Sequence, residues 1–429
     1  MKKQTLVLIL FFTLACNFAS PPTVEPVNAT STSPALTEEP VKAIAYPFPQ
    51  HVTYSPNSIL PNHRTQAEMD NDLRAFYDYW KSNYVIQDAI GENGTQMYRI
   101  AFGKSKEAKL TTVSEGQGYG MMILPIMAGY DADAQIIFDG LWEFVKAHPS
   151  EIDSRLMDWN VPDEDGSASA FDGDADIAFG LLLADAQWGS TGLVNYKAEA
   201  ENMIAGILES TIGSESHLPL LGDWVNVGEN EANQYTPRSS DFMLVNFRAF
   251  AKATNDPVWE DVILQSQNVM LKIQNNFSPQ TGLLPDFIVS DDSGFTPAPP
   301  YFLENDTDGS YNYNAGRVPW RVGLDGLIHN DSTSREIVQK ISHWIEVNAE
   351  GNPANIRAGY ELDGTPLPNS EYFTTFFVAP LGVAAMNNPS QQEWLNSIYD
   401  SVYNKQEDYY EDSVNLLCLM VMTGNFWSP

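Results

Sequence analysis

The chain has 429 residues, 43% of them hydrophobic and 12% aromatic, enough for one large core or two ordinary ones. Its formal charge of −33 argues against nucleic acid as a partner, because phosphate binding needs a basic face, and favours solubility and cationic ligands. No internal apolar run approaches the ~20 residues that cross a bilayer.

The first segment differs from the rest. Met1-Lys2-Lys3 is basic, Leu6 to Ala15 is apolar, and Thr13-Leu14-Ala15-Cys16 has the form of a lipid-attachment site. Residues 1–16 are therefore expected to be a secretion signal, with a lipidated Cys16 holding the mature chain to a membrane; plain secretion is the alternative. Both readings put the protein outside the cell, free or at the cell surface. Residues 17–45, rich in Pro, Thr, Ser, Ala and Glu, read as a flexible tether. The second cysteine, Cys418, lies in an apolar run and reads as a buried thiol, so neither a disulfide framework nor a cysteine zinc site is expected.

From residue 46 onward the apolar pattern is helical. Helices are expected to begin near Ala67, Ser114, Asp133, Asp174, Asn195, Ser239, Pro257, Tyr313, Ser332, Glu371, Ser390 and Tyr409. They fall into close pairs, such as 114–129 with 133–148 and 313–330 with 332–350. Long connections rich in Gly, Asp, Pro and aromatic residues separate the pairs, at 149–173, 212–238 and 278–312. Short returns on one side and long loops on the other predict an all-α fold, an (α/α)6 barrel of six hairpins spanning 46–429. Two helical domains are the alternative. Sites concentrate on long loops over a rigid scaffold.

Three segments carry carboxylates in unusual company. Glu115 stands in Ser114-Glu115-Gly116-Gln117-Gly118-Tyr119-Gly120-Met121, where three glycines near a helix start imply close approach of a ligand or another helix. Asp172, Asp174 and Asp176 open an apolar stretch ending at Trp188; a calcium loop is excluded because Ile177 replaces the needed Gly and Leu183 the needed Glu. Glu304 precedes Tyr311-Asn312-Tyr313-Asn314-Ala315-Gly316-Arg317-Val318-Pro319-Trp320-Arg321. Hydrolysis of a glycosidic bond needs two carboxyl groups in unlike environments, one protonated and one ionised. No Gly-x-Ser-x-Gly, His-Glu-x-x-His or phosphate-binding loop suggests a rival chemistry, and the six histidines are scattered.

These motifs resemble glycoside hydrolase family 8, a bacterial group of inverting enzymes acting on cellulose, mixed-linkage β-glucan, xylan or chitosan. The resemblance makes Glu115 the general acid and sets Asp172 beside the sugar, with Asp176 a further sugar-binding candidate. Phe171 and Gly180 depart from the family signature without removing a carboxylate. Where many members carry a base aspartate this chain has Asn314, and an amide cannot accept the proton. Glu304 resembles the glutamate that replaces it in the subgroup of chitosanases and mixed-linkage glucanases. The implied reaction is a single displacement with the two carboxyl groups roughly 6.5–9.5 Å apart. Asn314 and Arg317 would orient the base side. Tyr119, Trp159, Trp224, Tyr235, Tyr301, Tyr313 and Trp320 are candidate sugar platforms. No metal or organic cofactor is implied, and a monomer is expected. The acidic composition favours endo-cleavage of chitosan; a β-1,4 or β-1,3-1,4 glucanase is the alternative. A surface lipoprotein that binds polysaccharide without cutting it is the reading from another class.

Overall fold

The computed structural model describes residues 44–429 except 92–93, 163–166, 229–230 and 293. The signal, the lipid-attachment cysteine and the linker up to residue 43 lie outside the described residues. Twelve α-helices follow among those described: α1 (Gln66–Tyr84), α2 (Ser114–Met127), α3 (Ala134–Ala147), α4 (Phe171–Trp188), α5 (Tyr196–Ser210), α6 (Leu244–Thr254), α7 (Val258–Asn276), α8 (Val318–Ile328), α9 (Ser332–Asn348), α10 (Thr375–Ala385), α11 (Gln392–Val402) and α12 (Tyr409–Met422). Three two-stranded antiparallel ribbons decorate them: β1 (Val85–Ile90) with β2 (Gln96–Ile100), β3 (Thr112–Val113) with β4 (Asn160–Val161), and β5 (Ile288–Asp291) with β6 (Gly294–Pro297).

Even and odd helices differ in what they bury. Every residue of α10 is buried, every residue of α8 but Ile328, and every residue of α2 but Glu115. The odd helices bury one stripe, as α7 does with Trp259, Val262, Ile263, Ser266, Val269, Met270 and Ile273 at helical spacing. A helix apolar all round must be enclosed, and here the enclosure is a double ring. Each even helix packs against the even helices before and after it, with α12 meeting α2, and each odd helix covers an even partner from outside. The fold is an (α/α)6 barrel. Its seam joins the first helix to the last: Trp80 Nε1 donates to Ser413 Oγ at 2.9 Å, and Tyr84 Oη to Asp412 Oδ2 at 2.6 Å.

The glycines at the start of α2 serve helix packing. A Cβ on Gly118 would lie 2.6 Å from Asp176 Cβ, and one on Gly173 would lie 2.6 Å from Ser114 Cβ, so α2 and α4 cross too closely for side chains. The same face of α4 sends two carboxylates across the barrel. Asp172 and Asp176, one turn apart, meet Arg317 and Arg321, one turn apart at the start of α8. Since α6 stands between α4 and α8 in the ring, these pairs span the interior rather than a helix contact. The deeper pair is bidentate at 2.8 and 2.5 Å, and Asn246 of α6 adds a hydrogen bond to Asp176 at 3.1 Å.

Removing one partner from a buried pair leaves a charge without compensation. Asp176→Asn is expected to cost about 3–5 kcal/mol in urea unfolding, and the joint replacement Asp176→Leu with Arg321→Met distinctly less. A cost below about 1 kcal/mol for the single change would show that Arg321 does not depend on Asp176.

Candidate active site

The N-terminal ends of α2, α4, α8 and α12 open onto one cleft of about 350 Å³. Its lining includes Glu115, Asp172, Arg238, Glu304, Asn314 and Arg317, with Phe102, Trp159, Tyr313 and Tyr410 supplying aromatic surface. The β3–β4 ribbon sets one wall, because Ser114 N donates to Trp159 O at 3.0 Å and so fixes Trp159 beside the start of α2. The cleft continues past Trp159, Arg238 and Glu304 to Trp224 and Leu303.

Arg317 is 2% exposed and organises the floor. Its Nη1 donates to Glu115 Oε1 and, at 2.7 Å, to Asp172 Oδ2; its Nη2 donates to Ser240 Oγ at 2.9 Å and Asn314 Oδ1 at 3.1 Å. Arg238 adds a second cation, 2.9 Å from Asp172 Oδ2, while its Nε meets Asp241. The two carboxyl groups therefore differ. Burial raises Glu115 above the usual carboxylate range; Arg317 opposes that shift and the negative Asp172 adds to it. Burial also acts on Asp172, but Arg238 and Arg317 outweigh it and hold that carboxylate well below the usual range. Glu115 is suited to keep a proton and Asp172 to stay ionised. Both described hydrogen bonds to Glu115, from Arg317 and from Tyr119 Oη at 2.9 Å, fall on Oε1, which leaves Oε2 as the oxygen to carry a proton.

Glu304 reaches the same cleft from an exposed turn. Asn314 Nδ2 donates to Glu304 Oε2 at 3.1 Å, while Asn314 Oδ1 accepts from Arg317. An aspartate at 314 would set a carboxylate against Glu304; the amide gives it a donor instead. The segment bearing Asn314 is fixed by Asp286, whose Oδ1 accepts the backbone N–H groups of Asn312, Asn314 and Ala315 at 3.0, 3.1 and 2.7 Å. Burial raises the Asp286 carboxyl to about 7 against the pull of these three donors.

Glu115, Asp172, Glu304, Asn314, Arg317, Trp159 and Tyr313 come together in this cleft, and Trp224 lines its continuation. Five expectations are corrected. Tyr119 and Trp320 are buried in the core, with Arg321 stacked 4.0 Å over the Trp320 ring, so neither offers a face to a sugar. Asp176 is spent on Arg321, and Asp174 faces the other way, accepting Met157 N at 2.9 Å to fix the 149–173 connection. Tyr235 and Tyr301 are exposed but stand outside the cleft lining; Tyr235 Oη donates to Glu215 at 3.2 Å. Sequence reasoning missed Arg238, Phe102, Tyr410 and Asp286. Arg238 had a visible signal, directly before the helix-start triplet Ser239-Ser240-Asp241.

The sequence model of Glycosyl hydrolases family 8 matches residues 47–424. A β-glucanase of Niallia circulans is 42% identical over 387 residues, covering 89% of this chain and 91% of that protein. An endoglucanase of Bacillus sp. (strain KSM-330) is 40% identical over 390 residues, covering 89% and 82%. The solved structure of a β-1,3-1,4-glucanase from Paenibacillus sp. X4 superimposes with a TM-score of 0.85 at 41% identity, over 90% of this chain and all of that one. A reducing-end-xylose releasing exo-oligoxylanase, at 18% identity and a TM-score of 0.68, shares the fold.

Glu115 must be protonated to act as an acid, so activity falls as pH rises through its raised pKa. The Tyr119 hydroxyl stabilises the ionised form; Tyr119→Phe should raise that pKa further and move the alkaline limb of kcat/KM up by about half a unit to one unit, the worth of one hydrogen bond. A limb that stays in place or moves down would separate Glu115 from the proton transfer.

Proposed function

Since the chain belongs to glycosyl hydrolase family 8, we propose that this glycoside hydrolase is an endo-acting β-glucanase that cleaves β-1,4 or mixed β-1,3-1,4 chains with inversion. One observation carries the catalytic part: a proton-retaining Glu115 and a Glu304 hydrogen-bonded by Asn314 line the same cleft, together with the aromatic residues Phe102, Trp159, Tyr313 and Tyr410. Glu115 Oε2 gives its proton to the glycosidic oxygen as the bond to the anomeric carbon breaks. Glu304 takes a proton from a water that attacks the other face. Asp172, kept ionised by two arginines, holds the sugar between them.

The substrate follows from what lines the cleft. Beyond Glu115, Asp172 and Glu304, offset by Arg238 and Arg317, the described lining residues are uncharged. The chain's acidity is not concentrated there, which supports a neutral glucan over polycationic chitosan. The β-glucanase and endoglucanase relatives support the same choice, and a cleft that runs on to Trp224 suits binding within a chain. Asn314, the residue that raised the non-catalytic reading, is used here to orient Glu304.

Reducing-end release from lichenan and carboxymethylcellulose should exceed release from chitosan at least ~10-fold, a preference that ordinary pocket contacts can supply. Proton NMR of the first product should show the α anomer. Glu304→Gln should lower kcat by roughly 10²–10⁴-fold. Activity confined to chitosan would overturn the substrate, a β anomer the inversion, and unaltered turnover by Glu304→Gln the base.

We further place the mature protein at the bacterial surface, held by an acyl chain on Cys16, on the strength of the basic and apolar segments before it. Cys16→Ala should move it from the membrane fraction to the soluble one; persistent membrane association would argue for another anchor.

A further inference from the structure

We propose that Asp308 is a positioning residue for the base: its buried carboxylate holds the turn that aims Glu304 into the cleft. The proposal rests on the reading of Glu304 as base. Three consecutive backbone N–H groups converge on this one side chain, Leu303 N at 2.7 Å and Glu304 N at 3.0 Å on Oδ2, and Asn305 N at 3.0 Å on Oδ1. Successive N–H groups turned inward make an anion-binding concavity, and here the chain supplies its own anion. Asp308 is buried, and its carbonyl accepts Phe287 N at 2.9 Å, so the carboxylate is anchored to the segment beside Asp286.

Apolar packing cannot do the same work. Tyr301 is 72% exposed and Leu303 45%, and Phe302, against Phe287 at 6.2 Å, is the one aromatic contact described for this turn. The turn is also strained, with Tyr301 at φ 59° and its N–H bonded to Asn305 O at 2.7 Å. Side-chain hydrogen bonds continue the scaffold: Asn312 Nδ2 donates to Thr307 Oγ1, which donates to Asn305 Oδ1, each at 2.5 Å. Glu304 thus takes its position from Asp308 on one side and from Asn314 on the other.

An amide at 308 keeps one acceptor oxygen and turns an NH₂ group towards a backbone donor, so the concavity must open. Asp308→Asn is expected to lower kcat about 10²-fold, the scale of a misplacement near 1 Å. KM for lichenan should stay within about twofold and the alkaline limb set by Glu115 should not move, since acid and sugar contacts lie elsewhere. A purely structural role would instead lower the melting temperature and the active fraction while leaving kcat per folded molecule intact. Should Asp308→Asn not fold, Asp308→Ser, which retains one acceptor in a smaller side chain, takes the same measurements. Unaltered kcat in the folded variant, or a rise in KM alone, would overturn the proposal. Glu304→Gln run in parallel separates the two failures: full activity there removes the base itself, whereas an inactive Glu304→Gln beside a fully active Asp308 variant removes only the role of Asp308.

Discussion

One guanidinium connects the two halves of this site. Arg317 touches Glu115, Asp172 and Asn314, and Asn314 in turn holds Glu304, so the positions of the three proposed catalytic carboxyl groups are tied to a common group. Burying such a cation is costly unless its donors are matched, and here the matching partners are the functional groups themselves. The electrostatic contrast has the same origin. Asp172 has two cations to hold its charge, while Glu115 shares one of them and faces a negative neighbour, so the same burial leaves one carboxyl ionised and favours the proton on the other.

The barrel makes this possible by enclosing six helices whose starts share one end. Their sides are consumed by packing, and chemistry is left to the first turns and to the connections feeding them. The Asp176–Arg321 pair repeats the Asp172–Arg317 pair one turn below and shuts the interior beneath the cleft. The upper pair lines the cleft; the lower one is absent from its lining.

Much of this was legible because periodicity survives in a single chain. A helix forms near each of the twelve expected starts, and two of the boundaries that moved have a visible cause, one local and one distant in the chain. The helix expected near Ser239 begins at Leu244, because Ser239–Asp241 forms a 3-10 turn whose aspartate is held by Arg238. The helix expected near Tyr313 begins at Val318, because Asp286 captures the N–H groups before it. Glu115 and Glu304 stood out because each sits among residues that neither a plain helix nor a plain loop needs. Tyr119 and Trp320 misled because an aromatic beside a charge looks like a sugar platform; on an inner helix it has no free face. Asp308 carried no local signal at all. Its meaning lies in three backbone donors of a turn whose shape the side-chain pattern does not encode.

The seam between α1 and α12 has a consequence for how the molecule is made. Every other inner helix meets its outer cover from the residues that follow at once, but α12 must find a partner more than three hundred residues behind it, and Val52 N closes onto Gly424 O at 2.6 Å. The ring stays open until α12 docks, with the flank of α2 awaiting its neighbour. The seam also brings the beginning and end of the folded part side by side, the condition under which circular permutation preserves a fold. Joining them and cutting the chain in an outer return would relocate the last step of closure without altering a single contact in the cleft.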